Sequence, residues 1–205
     1  MDMLQKSKNN QRRIGLTGGI ASGKTTITNY IRKHKNIPIL DADDLSKELI
    51  KPNTYGYKKI LDYFGNKIID NENNSERAIN RKLLRHIIFK NSESKKWIEK
   101  LLHPLIKEKM IEDCSQYKNN QTIVLVIPLL FEAKFEDICT EIWLVKCPKE
   151  LQKTRLITRD KVSEKEAYES INLQLSFEEK RKFADIILDN SDDQNKWIKT
   201  IRELL

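Results

Sequence analysis

A glycine-rich stretch near the start of the chain has the residue types that bind nucleotide phosphates. Residues 18–25 read GGIASGKT and match the pattern G-x-x-x-x-G-K-[ST]. In such a P-loop, successive backbone N–H groups face phosphate oxygens, and the positive end of the following helix adds to the attraction. The lysine reaches the β- and γ-phosphates, while the hydroxyl of the next residue ligates Mg²⁺. The pattern therefore predicts an ATP site with Mg²⁺.

The residues on both sides of this loop support that interpretation over a chance glycine-rich turn. Residues 13–17 (RIGLT) predict a short buried strand, and residues 26–33 have the apolar spacing of a helix. A strand, a loop and a helix in this order are the surroundings that a P-loop requires. The residues expected to bind the nucleotide are Gly18, Gly19, Ala21, Ser22, Gly23, Lys24, Thr25 and Thr26, with Thr25 as the metal ligand.

Two carboxylates follow the next predicted strand. Residues 37–40 are apolar and lead directly into Asp41 and Asp43. In open α/β sheets, ligands bind at the carboxyl ends of the strands, so these carboxylates are candidates for acid–base chemistry. Their side chains point the same way if the strand continues through both, and diverge if a helix begins near Asp43. Alternatively, an aspartate such as Asp44 caps that helix.

Further charged candidates lie in the second half of the chain. Arg155 and Arg159 are four residues apart, so they share a face of the helix predicted after Pro148. They are either a solvated surface pair or, on a movable segment, a pair that stabilises charge on a transferring phosphoryl group. Glu132 is the first carboxylate after the strongly apolar residues 122–127. It is either a site residue or a solvated helix residue.

The alternation of apolar runs and helical periods predicts an α/β fold. We expect a five-stranded parallel sheet covered by helices, with a helical insertion between the second and third strands. Within the insertion, Asn80 and Ser92 are expected to cap two helices, and Pro104 is expected to begin the next one. Two capping boxes, at residues 163–166 and 176–179, predict two further helix starts.

Composition limits the class of protein. The chain has 205 residues and a net charge of +8, and its longest apolar run, residues 123–131, is too short to span a bilayer. Residues 1–13 are polar and basic, which predicts a frayed tail and not a signal peptide. The three cysteines are widely spaced, which favours free thiols in a reducing cytoplasm. Because basic residues are interspersed with acidic ones, we expect no nucleic-acid partner and no membrane partner.

Taken together, these motifs resemble the dephospho-coenzyme A kinase family, over about residues 14–190. The P-loop alone is shared by many enzyme families, whereas the later motifs in this order are more specific. The matching stretches are residues 15–25, Asp41-Ala42-Asp43, residues 102–106 (LHPLI), residues 128–132 (PLLFE), Arg155 with Arg159-Asp160, Gln174 ahead of Glu179-Lys180-Arg181, and Asp189-Asn190-Ser191.

The resemblance implies an activity and a domain plan. The activity is ATP-dependent phosphorylation of the ribose 3′-hydroxyl of dephospho-CoA, which gives CoA and ADP in the last step of CoA biosynthesis. The plan has a P-loop core at 13–44, 119–147 and 183–205, a helical CoA-binding region at 45–118, a lid at 148–182 and a flexible basic tail at 1–12. The enzyme is expected to be a monomer or a weak homo-oligomer.

The resemblance also implies roles for single residues. Asp43, or less favourably Asp41, would accept the proton of the ribose hydroxyl. Arg159 and Arg155 would neutralise charge on the γ-phosphoryl group, beside Lys24. Asn190 would lie against adenine. The residues expected on the side of the acceptor substrate are Asp43, Arg81, His103 and Glu132. For His103, packing beside Pro104 at a helix start is an alternative.

Three departures from the family pattern concern the details of the site. Val126 stands where many members have an acidic residue, and Asn80 replaces the aspartate that usually precedes Arg81. Ala21 stands where glycine is common, and it is tolerated there if its φ is negative. Two other functions remain as alternatives: another small-molecule or nucleoside monophosphate kinase of this fold, and a nucleic-acid-dependent P-loop ATPase.

Overall fold

The computed structural model describes residues 11–70 and 77–205, which form two compact units. The first unit contains the described residues up to Asp41 together with Cys114–Leu205, and the second unit is Ala42–Asp113. The predicted tail, residues 1–12, lies outside the described residues except for its last two positions. Gln11 is buried and its side-chain amide donates to the carbonyl of Cys114 at 3.0 Å.

A five-stranded parallel sheet forms the centre of the first unit. Its order is β2-β3-β1-β4-β5, and every neighbouring pair is parallel. The α/β prediction is therefore confirmed. The third strand is interior, as expected from its apolar residues, but the middle position belongs to the first strand. The strands are β1 Arg12–Gly18, β2 Ile39–Asp41, β3 Thr122–Val126, β4 Glu141–Lys146 and β5 Ile186–Asp189.

Among the described residues, α-helices follow every strand except β3, which is followed by turns and the short 3-10 helix Glu136–Ile138 before β4. In the first unit, Ile14 and Trp143 of the sheet form one buried cluster with Trp197 of the last helix, and all three are at most 1% exposed. The helices of the described residues are α1 Lys24–His34, α2 Ala42–Leu49, α3 Tyr55–Phe64, α4 Arg81–Lys90, α5 Ser92–Ser115, α6 Lys149–Asp160, α7 Glu164–Asn172, α8 Phe177–Arg181 and α9 Gln194–Leu204.

The second unit has its own apolar core, built between α3, α4 and the first part of α5. Ile60 and Ile68 are fully buried in it. The predicted cap of α4 is confirmed, because the Asn80 side chain accepts a hydrogen bond from the N–H of Leu83 at 2.9 Å. Both capping boxes predicted in the first unit are present as well, at the starts of α7 and α8.

The prediction of two helices between Ser92 and Tyr117 is wrong. The structure has the single helix α5, with Pro104 inside it. The cap is Asn91, whose side chain accepts from the N–H of Ser94 at 2.8 Å. A proline in a helix interior removes one backbone hydrogen bond and crowds the carbonyl four residues earlier, which together cost about 3 kcal/mol or more. Here the same buried face continues on both sides of it, and packing of that face keeps the helix continuous; its buried residues are Ile98, Ile106, Met110 and Cys114.

The loop between β1 and α1 contains two residues in left-handed backbone conformations. Gly23, at the start of α1, has a φ of 96°, and Ala21 has a φ of 56°. Ala21 therefore does not have the negative φ at which alanine would be tolerated in this loop. An alanine in the left-handed region costs about 1–2 kcal/mol, because its Cβ crowds the following carbonyl oxygen. The loop holds this strain at the centre of the expected phosphate site.

We expect Ala21→Gly to raise the free energy of unfolding by roughly 0.5–1 kcal/mol, since glycine removes the left-handed penalty but adds freedom to the unfolded chain. Ala133→Gly is the matched control. Position 133 is not among the residues with positive φ, so this substitution should lower stability. Urea unfolding of both variants checks the prediction, and a less stable Ala21→Gly protein would contradict it.

Candidate functional site

The predicted P-loop joins β1 to α1, with the lysine folded back towards the start of the loop. The ammonium of Lys24 donates to the carbonyl of Gly18 at 2.8 Å and to that of Gly19 at 2.9 Å. Thr25 and Thr26 are exposed in the first turn of α1, where helix N–H groups point outward. The structure therefore places a cation, two hydroxyls and a helix start together, which is the arrangement that binds phosphate.

Three side-chain amides hold the P-loop from outside, and we call them the amide clamp: Gln152, Gln174 and Asn190. The N–H of Ile20 donates to Gln174 Oε1 at 2.7 Å. Asn190 Nδ2 donates to the carbonyl of Ser22 at 2.9 Å. Gln152 lies so close to Gly19 that a Cβ at that position would clash with its Oε1. The clamp thus contacts the loop at three points.

Asn190 is predicted to lie against adenine. Both the nitrogen and the oxygen of its side-chain amide make hydrogen bonds within the protein. It is 5% exposed, and its Oδ1 accepts from the indole N–H of Trp197 at 3.2 Å. Its Nδ2 also occupies the space that a Cβ at Gly23 would need. Asn190 therefore links α9 to the P-loop. Contact with adenine stays a prediction.

The carboxylate beside Asn190 stays ionised well into acid. Burial by itself would raise the pKa of Asp189. Hydrogen bonds from Ser191 and from the ammonium of Lys146 outweigh that effect, so the pKa is lowered to about 2. Lys146 Nζ lies 2.9 Å from Asp189 Oδ2. At the end of β5, the negative charge of Asp189 is therefore balanced by the ammonium of Lys146.

The two arginines of α6 occupy different surroundings. Arg155 is half-buried, and its guanidinium approaches the carbonyl of Ser22 at 3.4 Å and the thiol of Cys147 at 3.5 Å. Burial raises the pKa of that thiol, against the opposing effect of Arg155. Arg159 is exposed and makes two hydrogen bonds to the carboxylate of Asp160, at 2.7 and 3.1 Å. Arg155 therefore contacts the P-loop.

Glu132 is not a solvated helix residue. It lies in a turn after β3, and its Oε1 accepts from the N–H of Leu175 at 3.0 Å. The same oxygen lies 2.8 Å from the ammonium of Lys180, whose side chain is 1% exposed. Glu132 thus belongs to a buried ion pair within the first unit. Its predicted contact with substrate stays a prediction.

The two aspartates of the Asp41-Ala42-Asp43 motif lie in different elements. Asp41 ends β2 and is in register with Val126 of β3. Helix α2 begins at Ala42, so Asp43 is exposed in its first turn and the two side chains leave the backbone in different directions. Asp44 is also inside the helix, where it pairs with Lys47 three residues on. The interpretation of Asp44 as the cap is therefore wrong.

The remaining predicted residues belong to the second unit. Arg81, at the start of α4, lines a cavity of about 630 Å³ together with Lys47 and Lys51. His103 lies in the middle of α5, so the alternative that placed it at a helix start is wrong. Burial lowers the pKa of His103, opposed by the nearby charge of Glu99, which favours the neutral imidazole at pH 7.

Sequence reasoning missed Gln152 and Trp197, and it did not assign roles to Gln174 and Lys180. Gln152 lies in α6, and the spacing of apolar residues in that helix does not distinguish it from the other polar residues there. Its Nε2 donates to the carbonyl of Cys147 at 2.8 Å, which orients it towards Gly19. Gln174 lies just ahead of a capping box, a local pattern that marks a rigid turn next to it. That box and the family resemblance at Gln174 mark this segment in the sequence, but neither indicates contact with the P-loop.

Few side chains among the described residues are placed together in a way that could hold a metal ion. Within 11–70 and 77–205, no group of three or more His, Cys, Asp or Glu side chains is placed to hold a metal ion. A single hydroxyl at Thr25 suits Mg²⁺, which usually takes one or two protein ligands and completes its shell with phosphate oxygens and water. Among the described helices, none has the length and apolar character needed to cross a membrane.

Comparison with known proteins gives one consistent result. The family model for dephospho-CoA kinase matches residues 12–196. A dephospho-CoA kinase of Prochlorococcus marinus strain MIT 9312 is 88% identical over 205 residues, which cover all of both chains.

Two solved structures are similar over nearly their whole length. A Thermus thermophilus protein has a TM-score of 0.76 and 27% identity, covering 95% of this chain and 98% of that one. Dephospho-CoA kinase from Campylobacter jejuni has a TM-score of 0.69 and 30% identity, covering 95% of this chain and 97% of that one. With a phosphate-binding loop at the carboxyl edge of the sheet and these matches over the whole fold, the chain belongs to the dephospho-CoA kinase family.

Proposed function

We propose that this protein transfers the γ-phosphoryl group of ATP to the 3′-hydroxyl of the ribose of dephospho-CoA, giving CoA and ADP. This is the last step of CoA biosynthesis. The observation that carries the proposal is the family match over residues 12–196, which includes the P-loop and every later motif. The geometry of the first unit supports ATP as the donor.

On the donor side, we assign the triphosphate to the P-loop, at residues 18–26. Lys24 would leave the carbonyls of Gly18 and Gly19 for the β- and γ-phosphates, because a phosphate oxygen carries more charge than a carbonyl oxygen. Asn190 would border adenine. Mg²⁺, when bound at Thr25, neutralises part of the phosphate charge.

Charge that develops on the transferring group requires cations close to the loop. Arg155 suits this role because its guanidinium already lies 3.4 Å from the carbonyl of Ser22. Arg159 would join it by exchanging its bonds to Asp160 for bonds to phosphate. We therefore assign residues 148–182 as the lid, with Arg155 as its fixed cation and Arg159 as its movable one.

On the acceptor side, we assign the second unit, within residues 45–118, as the CoA-binding region. Three cationic side chains, Lys47, Lys51 and Arg81, line the cavity of about 630 Å³ in this unit. A cavity of that size admits part of a large ligand, and its charge suits the diphosphate of dephospho-CoA. We keep His103 as a further contact to the acceptor, in its neutral form.

The proton of the ribose hydroxyl needs a base, and we assign this role to Asp43. It is exposed in the first turn of α2, two residues beyond the end of β2. Asp41, at the end of β2, is the competing candidate. We also propose that the protein acts in the cytoplasm as a monomer or weak homo-oligomer; the three free cysteines suit a reducing compartment.

We expect ADP release with dephospho-CoA as acceptor to be much faster than with AMP, adenosine or single-stranded DNA. The four acceptors are compared in parallel at equal ATP and Mg²⁺, and the product is identified by chromatography as CoA. Lys24→Ala serves as the catalytically impaired control. Turnover with AMP or DNA and none with dephospho-CoA would refute the proposed function and favour one of the alternatives.

We expect Asp43→Asn to lower kcat by about 10²–10⁴-fold, the usual contribution of a general base, while the Kd for ATP stays unchanged. Glu48→Gln, an equivalent neutralisation at an exposed position of α2, is the control and should be nearly normal. Steady-state kinetics of Asp41→Asn is measured beside them. A larger loss of kcat in Asp41→Asn than in Asp43→Asn would transfer the role of base to Asp41.

We expect Arg81→Ala to raise the KM for dephospho-CoA about tenfold or more, because a charge-assisted hydrogen bond to the diphosphate is lost. The KM for ATP should not change. Lys82→Ala removes a neighbouring exposed cation of α4 that does not line the cavity, and it should leave both constants alone. Equal effects of the two substitutions would show that only the net charge matters.

A further inference from the structure

The turn after β3 holds the carboxylate of Glu132 in one place. Leu130 is fully buried and Phe131 is 8% exposed, so both anchor the turn in the core. The backbone closes around them, since the N–H of Phe135 donates to the carbonyl of Leu130 at 2.9 Å and the N–H of Ala133 donates to that of Leu129, also at 2.9 Å. Glu132 therefore leaves a rigid backbone, not a mobile loop.

One oxygen of this carboxylate binds two groups of the segment that precedes and begins α8. Glu132 Oε1 accepts from the N–H of Leu175 at 3.0 Å and lies 2.8 Å from Lys180 Nζ. The Lys180 side chain is 1% exposed, that of Glu132 19%. A charge buried to this extent is destabilised strongly when its partner is removed, so each charge requires the other. The other oxygen, Oε2, is also buried.

The segment so fixed carries the side chain that contacts the P-loop. Ser176 caps α8 and forms a complete capping box with Glu179, which makes the start of α8 rigid. Leu175 is held by Glu132 on one side of this cap. Gln174, the preceding residue, places its Oε1 2.7 Å from the N–H of Ile20. A chain of direct contacts thus runs from Lys180 and Glu132, through Leu175 and Gln174, to the P-loop.

We propose that Glu132 and Lys180 are positioning residues for the P-loop. They fix the segment at Leu175 so that Gln174 accepts the N–H of Ile20 and sets the orientation of the loop that binds ATP. The inference rests on the proposed function only in taking ATP as the phosphoryl donor. It gives Glu132 a role on the donor side, instead of the contact with the acceptor that the sequence motif suggested.

The physical need for such a contact arises from the backbone of the loop. Ile20 precedes Ala21, whose φ of 56° is an unfavourable conformation for alanine. A peptide group next to a strained residue changes orientation readily unless a hydrogen bond holds it. Gln174 supplies that bond. Without it, the N–H groups that follow in the loop would spend less time facing the phosphates, and ATP would bind more weakly.

Three variants separate the contribution of Gln174 from that of the Glu132–Lys180 pair. Gln174→Met removes the acceptor for Ile20 and keeps the size of the side chain. The pair Glu132→Ala with Lys180→Met removes both charges together with the acceptor for Leu175. The pair Glu132→Gln with Lys180→Met also removes both charges, but it keeps a carbonyl oxygen that can accept from Leu175. Neither pair leaves an uncompensated charge in the core, so both are expected to fold.

The measurements are the Kd for ATP·Mg²⁺ by calorimetry, the KM values for ATP and dephospho-CoA, and the midpoint of urea unfolding. Loss of one hydrogen bond to the loop should raise the Kd and KM for ATP about tenfold in Gln174→Met and in the Glu132→Ala pair. The KM for dephospho-CoA should not change. The Glu132→Gln pair should return the Kd for ATP to within about twofold of the unmodified protein.

A second ion pair of the first unit provides the matched control. Arg12 and Glu141 pair at the opposite, amino end of the sheet, where β1 and β4 begin. Glu141→Gln should lower stability without altering the Kd for ATP.

Two results would overturn the proposal. A rise in the KM for dephospho-CoA with an unchanged Kd for ATP would make Glu132 a substrate contact. Loss of stability with all constants unchanged would make the pair merely structural. If the unmodified protein failed to phosphorylate dephospho-CoA, the proposed function would fail, but the ATP titration needs no acceptor and would still judge the positioning role.

Discussion

A phosphate-binding loop has few backbone N–H groups with which to stabilise itself, because most of them must face the ligand. The loop here has a turn-like bond between Ser22 and Gly19 and another between Thr26 and Gly23, and it includes a left-handed alanine. Its shape therefore depends on contacts from outside. The amide clamp supplies them, and an amide suits the task because it offers both a donor and an acceptor without adding charge beside the phosphates.

The parallel sheet explains why the clamp can reach one loop from three distant parts of the chain. The carboxyl ends of parallel strands meet at one edge, so the segments after β4 and β5 begin beside the segment after β1. Gln152 follows β4 in α6, and Asn190 directly follows β5. Burial of the strands fixes this edge, since Leu16, Trp143 and Leu188 are all fully buried. The buried core therefore also fixes the positions of the segments that contact the P-loop.

The features that the sequence predicted are the local ones. The P-loop, the five strands, the cap at Asn80 and both capping boxes depend on residues within a few positions of one another. The features that it missed join residues far apart in the chain: Gln174 and Ile20 are separated by 154 positions, Asn190 and Ser22 by 168. Patterns within a single sequence carry no information about contacts between residues so far apart. Pro104 shows a related effect, because tertiary packing along α5 overrides a strong local signal.

The surroundings of Val126 also depend on a contact between distant parts of the chain. The family resemblance predicts an acidic residue at the end of the third strand, and this chain has valine there. Val126 is in register with Asp41, the last residue of the neighbouring strand β2. Adjacent residues on parallel strands lie side by side, about 5 Å apart. A carboxylate is therefore present at this level of the sheet edge, one strand further from the P-loop than Val126. Asp41 belongs to the Asp41-Ala42-Asp43 motif, which is itself part of the family resemblance, so it does not replace the acidic residue that is missing at position 126.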